Sequence, residues 1–228
     1  MTDRKIGPYH QDEIYLAESL EAMARIPDKV VDVVVTDPPY GIGECGKKNH
    51  SRDRMARATR YAPKEWDHIR LERAYFDEMR RVSNHQIIFG GNYYTDFLSP
   101  SSCWIVWDKD NSGDFADCEL IWTSFPTAVR KIKWRWNGML QEDMRHKETR
   151  VHPTQKPVAL MRWILERYTK PGDLVLDPFL GSGSTVVACH QTQRAYLGFE
   201  KDPDYFRMAR ARVDETQRQA QIQIPRWT

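Results

Sequence analysis

Residues 30–40 read Val30-Val31-Asp32-Val33-Val34-Val35-Thr36-Asp37-Pro38-Pro39-Tyr40. Five valines around one aspartate are typical of a strand that is buried on both faces. The two prolines end this strand because they remove backbone donors. Far later in the chain a second apolar run, residues 174–176, leads into the motif Asp177-Pro178-Phe179-Leu180-Gly181-Ser182-Gly183-Ser184-Thr185. These two strand-plus-turn motifs decide the fold.

The rest of the chain alternates between strand and helix patterns. A strand running into a helix is predicted over 14–26, further helices over 71–82, 157–168, 183–190 and 203–213, and further strands over 86–89, 103–107, 118–122 and 195–199. Alternation of this kind predicts a mainly parallel sheet covered by helices on both faces. The short polar link between 103–107 and 118–122 predicts a hairpin, and so one antiparallel strand at an edge. Residues 217–228 are expected to be loosely held.

The length and composition predict one domain spanning residues 1–228. No apolar run approaches the roughly 20 residues of a membrane span, and no apolar stretch follows the first five residues, so a secretory signal is not expected. The four cysteines are scattered without a Cys-x-x-Cys pair. This usage favours a reducing, cytoplasmic setting over a disulfide framework.

Positive charge is concentrated in two segments, although the net charge is only +2. Residues 41–64 carry a local charge of +5 and residues 130–150 one of +4. Such asymmetry suits a polyanionic partner, and solvated loops are the alternative interpretation. Residues 41–66 lack periodicity and are predicted to form a long mobile loop.

The second motif has the pattern of a cofactor turn. A strand ends in an acid, two glycines flank Ser182, and a helix begins. Glycines at such a turn let the backbone approach a ligand closely, and Glu200 after the next strand is suited to ribose hydroxyls. No lysine follows the glycines, which disfavours a phosphate-binding P-loop. A helix start with convenient small residues is the alternative.

The first motif has the logic of a site for an exocyclic amine. The stiff Pro-Pro backbone presents carbonyl groups and the Asp37 carboxylate as fixed acceptors for the two hydrogens of an NH₂ group. Tyr40 offers a flat face on which a flipped base can stack. A plain turn at a strand end is the alternative.

Together these motifs resemble the amino-methylating DNA methyltransferases, which modify exocyclic amines of adenine or cytosine with S-adenosylmethionine. His152-Pro153-Thr154-Gln155-Lys156-Pro157 also matches a segment of that family, and the order of the motifs is that of the permuted class termed beta. The resemblance covers about 14–213. It implies a circularly permuted Rossmann-like fold, with a mostly parallel seven-stranded sheet and one antiparallel edge strand.

The resemblance also assigns site residues. The implied catalytic residues are Asp37, Pro38, Pro39 and Tyr40. The implied cofactor-binding residues are Glu18, where the family more often has Asp, together with Thr154, Lys156, Asp177, Phe179, Gly181, Ser182, Gly183, Thr185 and Glu200. We expect no metal centre, because the histidines show no ligand spacing.

The two basic segments supply the predicted DNA contacts. Those in 41–66 are Lys47, Lys48, Arg52, Arg54, Arg57 and Arg60. Residues 126–151 form a short insert in the place of a target-recognition segment, with Arg130, Lys131, Lys133, Trp134, Arg135 and Trp136 suited to phosphate contact and base stacking. Local packing under a loop is the alternative for the two tryptophans.

The expected reaction is direct methyl transfer to the N6 amine of adenine in double-stranded DNA, because Asp before Pro-Pro-Tyr leans toward adenine by resemblance. Cytosine N4 is the runner-up, and RNA or a protein amide is a weaker rival. An inactive DNA-binding module is disfavoured by the intact motifs. Carbon-5 cytosine methylation is disfavoured because none of the cysteines follows a proline. A homodimer and a cognate restriction enzyme are partners that the resemblance leaves open.

Overall fold

We describe a computed structural model for residues 4–42, 70–110, 116–137, 140–150 and 154–223. The strands are β1 (Lys5–Ile6), β2 (Tyr9–His10), β3 (Glu13–Leu16), β4 (Val31–Thr36), β5 (Ser83–Phe89), β6 (Trp104–Asp108), β7 (Cys118–Thr123), β8 (Arg130–Lys133), β9 (Trp136–Asn137), β10 (Leu140–Gln141), β11 (Leu174–Asp177) and β12 (Ala195–Glu200). The helices are α1 (Ser19–Met23), α2 (Arg73–Val82), α3 (Val158–Tyr168), α4 (Ser184–Gln191) and α5 (Pro203–Gln223), with one 3₁₀ turn at Gly91–Tyr93.

The central sheet of the described chain has eight strands in the order β3-β12-β11-β4-β5-β7-β6-β8. Strands β3, β12, β11, β4 and β5 are mutually parallel, and β7 is antiparallel to both of its neighbours. Strand β8 is parallel to β6. The two motif strands β4 and β11 are neighbours, with Val33 opposite Val175. The architecture is therefore the predicted α/β Rossmann-like arrangement with a mainly parallel sheet.

Two details of the predicted sheet are wrong. The sheet has eight strands instead of seven, and its antiparallel strand β7 is internal instead of at an edge. Strand β7 is internal because it pairs with β5 on one side and with β6 on the other. The eighth strand is β8, which pairs with β6 and forms a new edge. Its Arg-Lys-Ile-Lys sequence has no apolar periodicity to reveal a strand, and its side chains are half-buried or exposed. Charged side chains are common on edge strands, since they discourage pairing with other chains.

Helices cover both faces of the sheet. Helices α1 and α2 cover one face, where Met23, Phe76 and Met79 join the same apolar cluster. Helices α3, α4 and α5 cover the other, where Leu160 and Ala209 are fully buried. This three-layer packing explains why the central strands read as continuous apolar runs.

The chain ends differ from expectation. Helix α5 continues to Gln223, so the prediction that residues from 217 onward are loosely held is wrong for 217–223. Thr216 and Gln217 are both hydrogen-bonded within the fold. The Thr216 hydroxyl donates to the Arg212 carbonyl at 2.9 Å, and the Gln217 side-chain amide donates to the Tyr196 hydroxyl at 3.0 Å. Residues 1–3 and 224–228 lie outside the described ranges. None of the described helices is long and apolar enough to cross a membrane.

Candidate active site

Four carboxylates meet at one edge of the sheet. Glu18, Glu200, Asp177 and Asp37 follow or end the four adjacent parallel strands β3, β12, β11 and β4, in that spatial order. The carboxyl ends of parallel strands lie at the same edge, so residues from the first forty and the last thirty positions converge there. This edge carries the candidate site.

The four acids line one cleft of about 1030 Å³, a volume that includes its open mouth. Helix α1, the turns after β4 and β11, and the segment before α3 supply its walls. The predicted site residues that line it are Glu18, Asp37, Pro38, Pro39, Tyr40, Thr154, Lys156, Asp177, Phe179, Gly181, Ser182, Thr185 and Glu200. The cleft therefore brings both motifs to one surface.

Asp177 joins the two motifs directly. Its Oδ1 accepts a hydrogen bond from the Thr36 hydroxyl at 2.8 Å and one from the Phe179 amide at 3.2 Å. The residue is 4% exposed, and burial raises the pKa of its carboxyl group to about 6. Asp177 therefore fixes the turn after β11 against the end of β4.

The glycine turn is held by Glu200. Gly181 has φ +51°, and its amide donates to Glu200 Oε2 at 2.8 Å. Glu200 Oε1 accepts from the Asp202 amide at 2.9 Å, and burial raises the pKa of the Glu200 carboxyl group. A carboxylate anchored by two amides presents its remaining lone pairs to the cleft, which suits the hydroxyls of a sugar.

Glu18 both lines the cleft and caps a helix. It is the N-cap of α1, where Oε2 accepts from the amides of Leu20 at 2.8 Å and Glu21 at 3.0 Å. Its Oε1 accepts from the Tyr75 hydroxyl at 2.7 Å. The Tyr75 ring also contacts Phe179, with centroids 5.8 Å apart, and both rings line the cleft beside Glu18. Glu18 is thus held in place at an aromatic wall.

Gly183 lies behind the cleft and is absent from its lining. Its φ of +77° lies in the left-handed region that favours glycine, whereas a Cβ added there would make only ordinary contact with the Ala209 side chain, at 3.5 Å. Below the same turn, Arg212 donates to the Ser184 hydroxyl at 2.9 Å and pairs with Glu148 at 2.9 Å. The insert, helix α5 and the cofactor turn are therefore linked through one partly buried ion pair.

Asp37 is surrounded by hydrogen-bond donors. The Tyr40 hydroxyl donates to Oδ1, and the Lys156 ammonium lies 2.5 Å from Oδ2. Burial raises the pKa of the Asp37 carboxyl group, and the Lys156 charge opposes that effect. The Tyr94 hydroxyl donates to the Pro39 carbonyl, which fixes the Pro-Pro backbone. Asp37 is thus a positioned acceptor beside the cleft.

The Tyr40 ring is enclosed on one face. It stacks on Tyr93 with centroids 4.8 Å apart and an interplanar angle of 19°. Gly90, with φ +61°, passes so close that an added Cβ would lie 2.2 Å from the ring. A tyrosine fixed in this way keeps its orientation when a ligand enters.

The sequence did not single out several residues around Asp37. Tyr75 lies in a predicted helix, and Tyr93 and Tyr94 lie between two predicted strands, so no sequence pattern points to them. Lys156 was assigned to the cofactor, whereas its ammonium contacts Asp37. Glu119, whose carboxylate lies 3.5 Å from the Lys156 ammonium, was also missed. The signal that could have revealed it is an acid directly before the apolar run Leu-Ile-Trp of β7.

The basic residues of the insert lie beside the same edge of the sheet. The register pairs Lys133 with Asp108 at the end of β6. Lys131 and Lys133 each lie 2.8 Å from an acid, Asp108 and Asp110 respectively, and Arg135 also pairs with Asp110. The side chains of Lys131 and Lys133 are more than half exposed and that of Arg135 slightly less, so their charge faces solvent while the two acids offset part of it.

The two tryptophans of the insert pack against the core. Trp136 is 8% exposed and its indole donates to the Gln155 carbonyl at 2.8 Å, so its predicted stacking role does not fit its burial. Trp134 is half-buried and packs on the same apolar cluster, and Arg130 is half-buried in β8. The DNA contacts predicted at Lys47, Lys48, Arg52, Arg54, Arg57 and Arg60 lie outside the described residues.

Comparison with known proteins shows similarity to DNA methylases. A family profile described as DNA methylase matches residues 126–211. The chain is 29% identical to the putative methylase YubD of Escherichia coli K12, over 90% of this chain and 91% of that protein. The crystal structure of the M1.HpyAVI–SAM complex is similar with a TM-score of 0.53 and 26% identity, covering 88% of this chain and 98% of that one.

The fold is shared more widely than the sequence. The PvuII cytosine-N4-specific DNA methyltransferase has a TM-score of 0.60 at only 14% identity, with 91% of each chain covered. At that identity the likeness concerns the fold alone. The two motifs at one sheet edge, the cleft that they share and the similarities above support the resemblance of the chain to the N6/N4 amino DNA methyltransferase family.

Proposed function

We propose that this chain transfers a methyl group from S-adenosylmethionine to the N6 amine of adenine in double-stranded DNA. The observation that carries the proposal is the position of Asp37. Its carboxylate and the following Pro38 lie on the wall of the same cleft as Asp177, Gly181 and Glu200. An amine acceptor site and a cofactor turn thereby share one cavity.

The residues of the cleft fit the cofactor. Its lining combines aromatic and apolar side chains with a few placed polar groups, which is typical of a small-molecule site. The anchored Glu200 suits the ribose hydroxyls, Glu18 lies beside the aromatic wall suited to the adenine, and Gly181 in the left-handed region opens the backbone to a close approach. When bound, S-adenosylmethionine supplies an electrophilic methyl group on a sulfonium.

The residues of the chain position the target amine. Asp37 and the Pro38 carbonyl accept its two hydrogens, which draws the nitrogen lone pair out of conjugation with the base ring. Tyr40, fixed by Tyr93 and Gly90, supports the flipped base. Stacking of this kind contributes about 1–3 kcal/mol. Positioning and polarisation then carry the catalysis, without a covalent enzyme–base intermediate.

Adenine is favoured over cytosine because aspartate, and not serine, precedes Pro-Pro-Tyr. Mass spectrometry of nucleosides from DNA treated with the protein and S-adenosylmethionine separates the two. We expect N6-methyladenine. Detection of N4-methylcytosine alone would make cytosine the target base. The absence of any methylated nucleoside from the treated DNA would contradict the proposal.

The role of Asp37 is tested by Asp37→Ala. We expect methyl transfer to fall at least about 100-fold, while the dissociation constant for S-adenosylmethionine stays within about threefold, since the cofactor turn is untouched. Asp28→Asn changes an exposed carboxylate paired with Arg81 and is the matched control. Retained turnover in Asp37→Ala would defeat the assignment.

The short insert supports a loosely specified or short target site. Methylome sequencing after expression in a methylation-free host measures the site directly. One long motif, fully and exclusively modified, would contradict this part of the proposal. A homodimer and a cognate restriction enzyme stay predictions, tested by sedimentation of the purified protein and by restriction of unmethylated DNA.

A further inference from the structure

We propose that Glu119 is a positioning residue for the methyl transfer, because its carboxylate receives the Lys156 ammonium when the target amine binds Asp37. This inference rests on the proposed function of the site. In this proposal the Lys156 ammonium moves from Asp37 to Glu119 when the amine binds.

The Glu119 carboxylate can accept a further hydrogen bond. Its Oε1 is paired with Lys109, whereas Oε2 is buried with no hydrogen-bond partner among the described residues. The Lys156 ammonium lies 3.5 Å from Oε2. Buried carboxylate oxygens without a partner are costly, so this atom favours any nearby donor.

Lys156 is within reach of both acids. Its ammonium lies 2.5 Å from Asp37 Oδ2 and 3.5 Å from Glu119 Oε2, and the side chain is 7% exposed. The backbone of Lys156 is fixed, because the Ser184 hydroxyl donates to its carbonyl at 2.7 Å. A shift of less than about 1 Å at the tip of the side chain completes a hydrogen bond to Glu119.

Methyl transfer requires this shift for two reasons. Lys156 and Tyr40 each occupy an acceptor position of the Asp37 carboxylate, so the incoming amine competes with them. The amine nitrogen also becomes positive as the methyl group arrives, and a cation held on Asp37 opposes that charge. Moving the ammonium toward Glu119 frees Asp37 Oδ2 for the amine and places the cation farther from the developing positive charge.

The antiparallel strand explains how Glu119 reaches the site. Strand β7 runs against its neighbours, so its beginning lies at the edge where the parallel strands end. The register pairs Glu119 with Trp107, one residue before the end of β6. A parallel strand in this place would carry its first residues to the opposite edge of the sheet.

The first test is a double-mutant cycle on turnover. Glu119→Gln keeps the shape but removes the charge that holds the ammonium, and we expect kcat to fall about 10- to 100-fold, with the dissociation constant for S-adenosylmethionine within twofold of wild type. In a Lys156→Met background the same change should alter kcat by less than about twofold, because the Lys156 ammonium that Glu119 would bind is absent. An equal loss in both backgrounds would overturn the proposal.

The second test does not need turnover. With S-adenosylhomocysteine bound, affinity is measured for duplexes with adenine or purine, which lacks the amine, at the target position. Wild type should prefer adenine, and Glu119→Gln should lose at least about fivefold of that preference, since Lys156 stays on Asp37. An unchanged preference overturns the proposal. If cytosine is the target base, the pair is cytosine and its 4-deamino analogue.

Controls distinguish a failure of the proposed function from a failure of the role of Glu119. Glu166→Gln removes an exposed, ion-paired carboxylate of α3 and should match wild type in every assay. A wild-type protein that methylates no DNA defeats the proposed function. A wild-type protein that methylates DNA, with Glu119→Gln equal to it in turnover and in base preference, defeats this inference alone.

Discussion

Asp177 couples the stability of the fold to pH. Its raised pKa of about 6 exceeds the value of about 3.9 in an unfolded chain. The folded state therefore binds the proton more tightly, and the stability due to this group is fully present below about pH 4 and is lost as pH rises through about 6. The difference amounts to about 3 kcal/mol.

The variant Asp177→Asn tests this pH dependence. It keeps an acceptor for the Phe179 amide and cannot ionise. Between pH 4 and pH 7 its unfolding free energy should rise relative to wild type by about 2–3 kcal/mol, measured by urea unfolding. Asp28→Asn, at an exposed ion pair, should change by less than about 1 kcal/mol over the same range. A difference for Asp177→Asn that does not vary with pH would contradict the assignment.

Gly90 and Gly172 form a matched pair of substitutions. Both have left-handed φ angles, +61° and +89°, so alanine costs about 1–2 kcal/mol at either. Only at Gly90 would the new Cβ meet the Tyr40 ring, whereas nothing lies within 4 Å at Gly172. We expect Gly90→Ala to lower kcat at least about tenfold and Gly172→Ala to leave it unchanged. Equal kinetics in the two variants would contradict a role for Tyr40 orientation.

At the scale of elements, edge strand β8 and the adjoining Arg135 carry exposed positive charge. We expect Lys131→Ala, Lys133→Ala and Arg135→Ala combined to weaken DNA binding at all sequences. The slope of log K against log salt should become shallower by about 0.9 for each lost phosphate contact. Fluorescence anisotropy over a salt series measures it. Arg218→Ala, at an exposed ion pair of α5, is the control, and an unchanged slope in the triple variant would exclude β8 from the interface.

The elements that could be predicted are those whose sequence pattern matches their burial. The valine-rich run at 30–35 predicts the central strand, and the Gly-Ser-Gly pattern predicts a turn after a strand. Both can be predicted because each depends on residues that are adjacent in the sequence. Strand β8 and the register that brings Glu119 beside Lys156 could not be predicted. Their positions depend on pairing between distant segments, and Arg130–Lys133 carries no apolar alternation. The family resemblance, more than periodicity, named the site residues.

At the scale of the whole molecule, the cleft draws on both ends of the chain, from Glu18 to Glu200. A ligand that binds there stabilises the complete fold. At 100 times its dissociation constant, S-adenosylmethionine adds about 2.7 kcal/mol, which corresponds to a rise in melting temperature of about 5–11 °C. Thermal unfolding checks this, and Glu200→Gln should show a smaller shift at the same concentration. An equal shift with ATP would contradict a methionine-bearing ligand.

The pairing of β4 with β11 has a consequence for synthesis on the ribosome. Thr36 and Asp177, which bond to each other, are 141 residues apart in the chain. At about 5–20 residues per second, β11 emerges roughly 7–28 s after β4. Until then β4 pairs only with β5, and its other side is a valine-rich edge open to association. Nascent chains should therefore need chaperone protection until the second motif is made.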